Sequence, residues 1–175
     1  TVLSAAASGL RRAGAGALVL ATNTMHKVAA EIEAGCGLPL LHIADATGAA
    51  LREAGMRSAL FLGTRFSMED DSIVRQRLLQ SFGIETRVPD AAGRTLVHQV
   101  IYDELCRGQV NPASREAVVA LIAAQRGVDA VILGCTEITL LIDAHCSPLP
   151  VFDTTALHAQ AAATWILHDS PPDRG

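Results

Sequence analysis

Two features of the chain predict an α/β fold built on parallel strands. Short apolar runs, each closed by Gly or by a polar turn, alternate with segments of helical period along all 175 residues. Half the residues are hydrophobic but only 3% are aromatic, a composition suited to helices packed closely on a parallel sheet. A chain of this length and apolar content can bury a core without disulfides or metals.

The elements follow in order. Val2 to Arg12 has helical spacing and stops at Gly14. Residues 17–21 are a first apolar strand, followed by a helix from His26 to Glu33 that stops near Gly35. Leu40 to Ile43 is a second strand, and Asp45 is expected to cap a helix running to Gly55. Ser58 to Leu62 is a third strand, closed by Gly63-Thr64. Ser67, with Asp70 three residues on, is expected to cap a helix reaching Phe82. Glu85 to Val88 reads as a strand, while Arg94–Arg107 and Ser114–Arg126 read as helices ended by Gly108 and Gly127. Asp129 to Leu133 is a buried strand, Pro150 to Phe152 a short one, and Thr154 or Thr155 caps a last helix through Trp165 to Leu167. The tail from Ser170 to Gly175 reads as disordered.

Composition narrows the partners. The formal net charge is −4 and no basic run occurs, which gives no reason to expect nucleic acid or an anionic membrane. No apolar segment approaches the roughly 18 residues of a membrane span. No basic-then-apolar leader opens the sequence, so a cytoplasmic location is expected. The four cysteines, Cys36, Cys106, Cys135 and Cys146, form no CxxC and stand at no metal-ligand spacing. Three of them are expected to be small buried apolar residues.

Cys135 differs by position. Ala130-Val131-Ile132-Leu133 stops at Gly134 and sets Cys135, Thr136 and Glu137 side by side, where an open α/β sheet binds its ligands. The run at 17–21 has the same design and ends in Thr22-Asn23-Thr24-Met25-His26. Two strands, each ending in a small nucleophilic residue followed by hydrogen-bonding side chains, are a faint internal repeat.

Four segments carry a family likeness: Thr22-Asn23-Thr24-Met25-His26-Lys27, Leu62-Gly63-Thr64-Arg65, Gly134-Cys135-Thr136-Glu137-Ile138 and Phe152-Asp153-Thr154. In their order and spacing the chain resembles the aspartate/glutamate racemase superfamily, and most of all its bacterial L-aspartate/glutamate-specific branch. The resemblance implies two pseudo-symmetric α/β lobes with the active site in the cleft between them. Residues 1–44 with 151–175 would form the first lobe and 45–150 the second. It implies racemisation of an acidic amino acid without a cofactor or metal, by two residues on opposite faces of Cα, in a homodimer. Most of the family has Cys where this chain has Thr22; the L-specific branch has Thr there too. Family members also carry a leading strand and a Gly-rich turn upstream, so the first lobe is expected to be incomplete.

A racemase needs a base, an acid opposite, and donors for a carboxylate becoming enediolate-like. Cys135 suits the first role, its thiol expected to be lowered by a helix starting near Ile138. Thr22, the candidate on the other face, is a poor base without an activating partner. Asn23, Thr24, Thr136 and Thr64 are the candidate substrate-binding residues, the first three as donors to the α-carboxylate. Glu137 could orient the ammonium, buffer Cys135, or cap the next helix. Arg65 and Arg107 are candidate cations for a side-chain carboxylate, and His26 and His158 lie near the motifs. Two other readings stay open: a single-cysteine decarboxylase or lyase on the same fold, and an inactive fragment or ligand-binding remnant.

Overall fold

The computed structural model describes residues 2–69 and 72–168, so Thr1, Asp70, Asp71 and the tail expected to be disordered lie outside the described residues. Strands and helices alternate as the apolar pattern requires. Helix α1 (Val2–Arg12) precedes β1 (Leu18–Val19), α2 (Ala29–Cys36) and β2 (Leu40–Leu41). Then come α3 (Ile43–Glu53), β3 (Ser58–Leu62), the single turn α4 (Arg65–Met68), α5 (Ile73–Phe82) and β4 (Glu85–Arg87). Helices α6 (Ala91–Gln99) and α7 (Pro112–Ala124) lead to β5 (Ala130–Leu133), β6 (Val151–Asp153) and α8 (Thr154–His168).

All strand pairs are parallel and fall into two sheets. β1 pairs with β2, Leu18 opposite Leu40. The larger sheet has the order β4-β3-β5-β6. Its central strands β3 and β5 are apolar and almost wholly buried, as strands covered on both faces must be. Each sheet has its own core: Leu60, Leu62, Leu78, Ile122 and Ile132 are among those packed around the larger one. Ala7, Leu18, Ile32 and Leu40 pack around the smaller.

Topology selects the functional end. From β3 the chain crosses outward to β4; from β5 it crosses the other way, to β6. Loops leaving adjacent strands in opposite directions open a crevice at the carboxyl ends, the usual ligand position in such sheets. Leu62 lies opposite Leu133, so Gly63-Thr64 and Gly134-Cys135 leave the sheet side by side. Gly134 N–H donates to Leu62 O at 2.7 Å. Both glycines are demanded by close approach. A Cβ on Gly134 would land on the Phe61 ring, and one on Gly63 would meet the Ser67 hydroxyl and the Gly134 carbonyl.

Several expectations need correction. Residues 151–153 hydrogen-bond to β5, so this strand joins the larger sheet and does not go with residues 1–44. The Asp45 cap is replaced by His42, whose Nδ1 accepts from Ala44 N–H at 3.1 Å. Asp45 sits inside the first turn and instead holds the Arg77 guanidinium through both oxygens, at 2.5 and 2.7 Å. Ser67 lies within α4, its hydroxyl donating back to Thr64 O at 2.9 Å; Ser72 is the residue that precedes α5. Asp153, and neither threonine, caps α8 by accepting from Thr155 and Ala156 N–H. Cys36 is buried as expected, but Cys106 is exposed and Cys146 half-buried. Leu105 takes the inward position of the turn that carries Cys106.

Candidate functional site

The turn after β1 brings Thr22, Asn23 and Thr24 to one wall of a cavity of about 350 Å³. Thr64 from the end of β3, and Gly134, Cys135, Thr136 and Glu137 from the end of β5, line the same space. All the candidate catalytic and substrate-binding residues read from the sequence therefore meet here. Tyr102 lines the cavity as well, and the sequence reading missed it. It sits in a π turn (Val100–Glu104) that interrupts the expected helix 94–107, with its ring 4.6 Å from that of His98. Such insertions turn the following side chains out of helical phase. The chain's single Tyr, within a helical segment of mixed aliphatic and polar residues, was the available signal.

Cys135 is the best-furnished group. It is 8% exposed, and its Sγ–H donates to Glu137 Oε2 at 2.9 Å. Burial first, and then the hydrogen bond to this carboxylate, push the thiol up to about 12. The main-chain N–H groups of Glu137 and Ile138 do act to lower it, as expected of a following turn, but a short 3₁₀ turn (Ile138–Leu140) is outweighed by burial and the adjacent carboxylate. The partner shifts the other way: hydrogen bonds from the Cys135 and Thr136 side chains hold the Glu137 carboxyl below the usual range. At rest the pair is thus a thiol and a carboxylate.

Asn23 is anchored from behind. Thr154, fully buried, donates its hydroxyl proton to Leu133 O at 2.8 Å, so its Oγ1 must accept from Asn23 Nδ2 at 3.1 Å. That fixes the amide orientation and leaves Asn23 Oδ1 buried with no hydrogen-bond partner among the described residues. An unpaired buried carbonyl costs about 1–3 kcal/mol unless something donates to it. Asn23 was expected as a donor; its unpaired Oδ1 offers an acceptor as well. Thr64 and Ser67 hydroxyls lie 3.4 Å apart, and Thr136 O accepts from the Thr139 hydroxyl.

The candidate cations do not join this cavity. Arg65 stacks on Phe66 and reaches Glu69 at 4.0 Å, while Arg107 reaches Asp103 at 3.6 Å, both largely exposed. Lys27 lines an adjoining cavity of about 340 Å³ that shares Asn23 and Thr24 and includes Ser67, Glu69 and Ser72. His26 and His158 are buried behind the Thr22 turn. Among the described residues no three His, Cys, Asp or Glu side chains are grouped to hold a metal ion, and no helix is long and apolar enough to cross a membrane.

A parallel α/β fold with a thiol–carboxylate pair and a cluster of hydroxyls at its strand ends defines a class of small-molecule-binding proteins. The chain belongs to the Asp/Glu/hydantoin racemase family, whose model matches residues 1–162. It is similar to a Yersinia pestis protein of Asp/Glu racemase type, with 50% identity and a TM-score of 0.90, over 95% of this chain and 73% of that one. An aspartate racemase homologue from Pyrococcus horikoshii matches at 31% identity and TM-score 0.87, over 95% of this chain and 74% of that one. Picrophilus torridus aspartate racemase matches at 25% identity and TM-score 0.70, covering 93% and 68% of the two chains.

Proposed function

We propose that the chain is a racemase for an acidic amino acid, aspartate or glutamate, moving a proton at Cα between Cys135 and Thr22 without a cofactor. One observation carries this reading: Thr22 and Cys135, distant in sequence, line one cavity with the hydroxyls a carboxylate needs. Assembly as a homodimer, and a cleft between a first lobe of residues 1–44 with 151–175, less the strand 151–153 that pairs with β5, and a second lobe of 45–150, belong to the same reading.

In this reading the α-carboxylate lies among the hydroxyls of Thr24, Thr64 and Thr136, the last turning from Glu137 to reach it, and these donate more strongly as it becomes an enediolate. The ammonium donates to Asn23 Oδ1, the acceptor left without a partner. In one direction the Thr22 hydroxyl first gives its own proton to solvent in the cavity, the alkoxide takes the Cα proton, and the resting Cys135 thiol supplies one to the opposite face. In the other, Cys135 must first lose its proton. The substrate ammonium brought near it favours the thiolate, and Glu137 is the adjacent acceptor.

The two directions are chemically unequal. Overall equilibrium between enantiomers is one, so the inequality shows in separate kcat and KM values and in Cα exchange without inversion. The test follows Cα deuterium exchange of both enantiomers of aspartate and glutamate in wild type, Cys135→Ala and Thr22→Cys. Exchange should vanish for at least one enantiomer in Cys135→Ala and rise in Thr22→Cys; undiminished exchange in Cys135→Ala ends the proposal. A one-sided lyase or decarboxylase is the second reading. It is favoured by the contrast between Cys135, which has a built partner, and the Thr22 hydroxyl, which has none among the described residues. Product formation from a malonate-type diacid without Cα exchange of amino acids would select it.

A further inference from the structure

Behind the Thr22 turn, three buried imidazoles meet outside the cavity that holds Cys135. His26 is 1% exposed and His158 3%, and the His26 ring centroid lies 4.4 Å from that of His42 and 5.7 Å from that of His158. Each ring is bound to main chain. His42 caps α3, and His158 Nε2 lies 2.6 Å from Leu41 O. His26 alone uses both nitrogens. Its Nε2 accepts from Ile43 N–H at 3.2 Å, so the ring proton resides on Nδ1, which donates to Thr22 O at 2.8 Å.

We infer that His26 is a positioning residue for Thr22: by bridging the Thr22 carbonyl to the first residue of α3, it sets the direction in which the Thr22 hydroxyl enters the cavity. This rests on the proposed racemase reading. The turn it controls is tight, with Thr22 N–H donating to Leu20 O at 2.8 Å, so a carbonyl released from His26 lets the 22–23 peptide rotate and swings the side chain with it. His26 is not the activating base of Thr22, because its Nδ1 is committed to the carbonyl and not the hydroxyl.

The bridge requires a neutral ring. A second proton would sit on Nε2 and face the Ile43 N–H, replacing an acceptor with a donor. His158 on α8 and Arg77 on α5 oppose that proton, with Asp45 neutralising part of the Arg77 charge; the Thr22 and Asn23 main chain favours it, and the His42 ring at the start of α3 stands alongside. Burial is the largest single effect holding His26 below its ordinary value.

The two bonds can be separated by substitution, which distinguishes positioning from mere support. Asn at this site can keep a donor near the Nδ1 position and loses the Ile43 contact; Gln can keep an acceptor near the Nε2 position and loses the Thr22 contact. In the full chain, His26→Asn should keep Cα exchange of both enantiomers within about three-fold. His26→Gln should reduce the exchange that needs Thr22 by roughly 10- to 100-fold and leave the exchange that needs Cys135 within about three-fold. Equal losses in both variants and for both enantiomers, tracking a fall in melting temperature, would overturn the inference. So would full exchange in His26→Gln. A readout independent of turnover is alkylation of the thiol introduced by Thr22→Cys. Its rate should be preserved on adding His26→Asn and shifted several-fold on adding His26→Gln; identical rates in both would also overturn it. Absence of Cα exchange in wild type would instead remove the racemase reading, while the alkylation comparison still decides whether His26 orients residue 22.

Discussion

The thiol–carboxylate contact at Cys135 permits a sharp trial through Glu137→Gln. The substitution keeps the shape of the side chain and an acceptor oxygen, but removes the charge that Cys135 faces at 2.9 Å. Hydrogen bonds to charged groups contribute roughly 1.5–3 kcal/mol, about twice a neutral one, and a pKa unit corresponds to about 1.4 kcal/mol. The Cys135 thiol, now pushed up to about 12, should therefore fall by roughly one unit. It should fall no further, since burial is the larger cause of the shift and is untouched. Below its pKa each unit of lowering multiplies the thiolate fraction about ten-fold. Nucleophilicity declines part of the way with basicity, so alkylation at a fixed pH should rise by about three-fold or more. The assay is the iodoacetamide rate read by mass spectrometry on the peptide containing Cys135, because exposed Cys106 reacts too. A rate unchanged or reduced, with the melting temperature intact, would refute the claim that the carboxylate raises the thiol.

Thr154→Val removes the hydroxyl that joins Asn23 to Leu133 and leaves two buried groups unpaired, so a loss of about 2–4 kcal/mol is expected, with weaker binding of acidic amino acids, measured by chemical denaturation and calorimetry. Gly134→Ala would drive a methyl group into Phe61 and should cost several kcal/mol, read as a lower melting temperature; a stable variant would show that β3 and β5 can move apart. Acid should destabilise the fold through His42, whose pKa burial lowers from 6.5 to about 4. Its unfolded state binds the proton first, so stability is whole above about pH 6.5 and declines by up to about 3 kcal/mol as pH falls toward 4. In His42→Asn that part of the decline should disappear from denaturation curves taken across this window.

The strands and the cavity at their ends were legible because buried parallel strands leave apolar runs, and because open α/β sheets form their crevices where those runs end. That rule marked Cys135 and Thr22, and the family likeness added Thr64 and the roles expected of all three. Helix starts were less legible: His42 caps α3 with a ring nitrogen, a role the usual set of capping residues does not suggest, and Asp45 was drawn instead to Arg77. The substrate cations failed because an isolated Arg carries no periodicity; Arg65 and Arg107 each found a carboxylate one helical turn away. Tyr102 was hidden by a π turn, a defect in hydrogen bonding that leaves no mark in composition. The raised Cys135 thiol was also out of reach. It depends on burial and on the rotamer of Glu137, both products of the folded loop.

Thr154 has a consequence for how such a site can change over time. One hydroxyl holds the side chain of the residue after Thr22 and the carbonyl two residues before Cys135. In the proposed reaction the spacing between Thr22 and Cys135 is therefore kept by a residue that performs no chemistry, on the helix that also brings His158 against His26. Residue 22 can exchange oxygen for sulfur while the frame around it stays in register. In the proposed reaction the identity of the acid or base becomes a replaceable part, and Thr154 is the gauge to which either part is fitted.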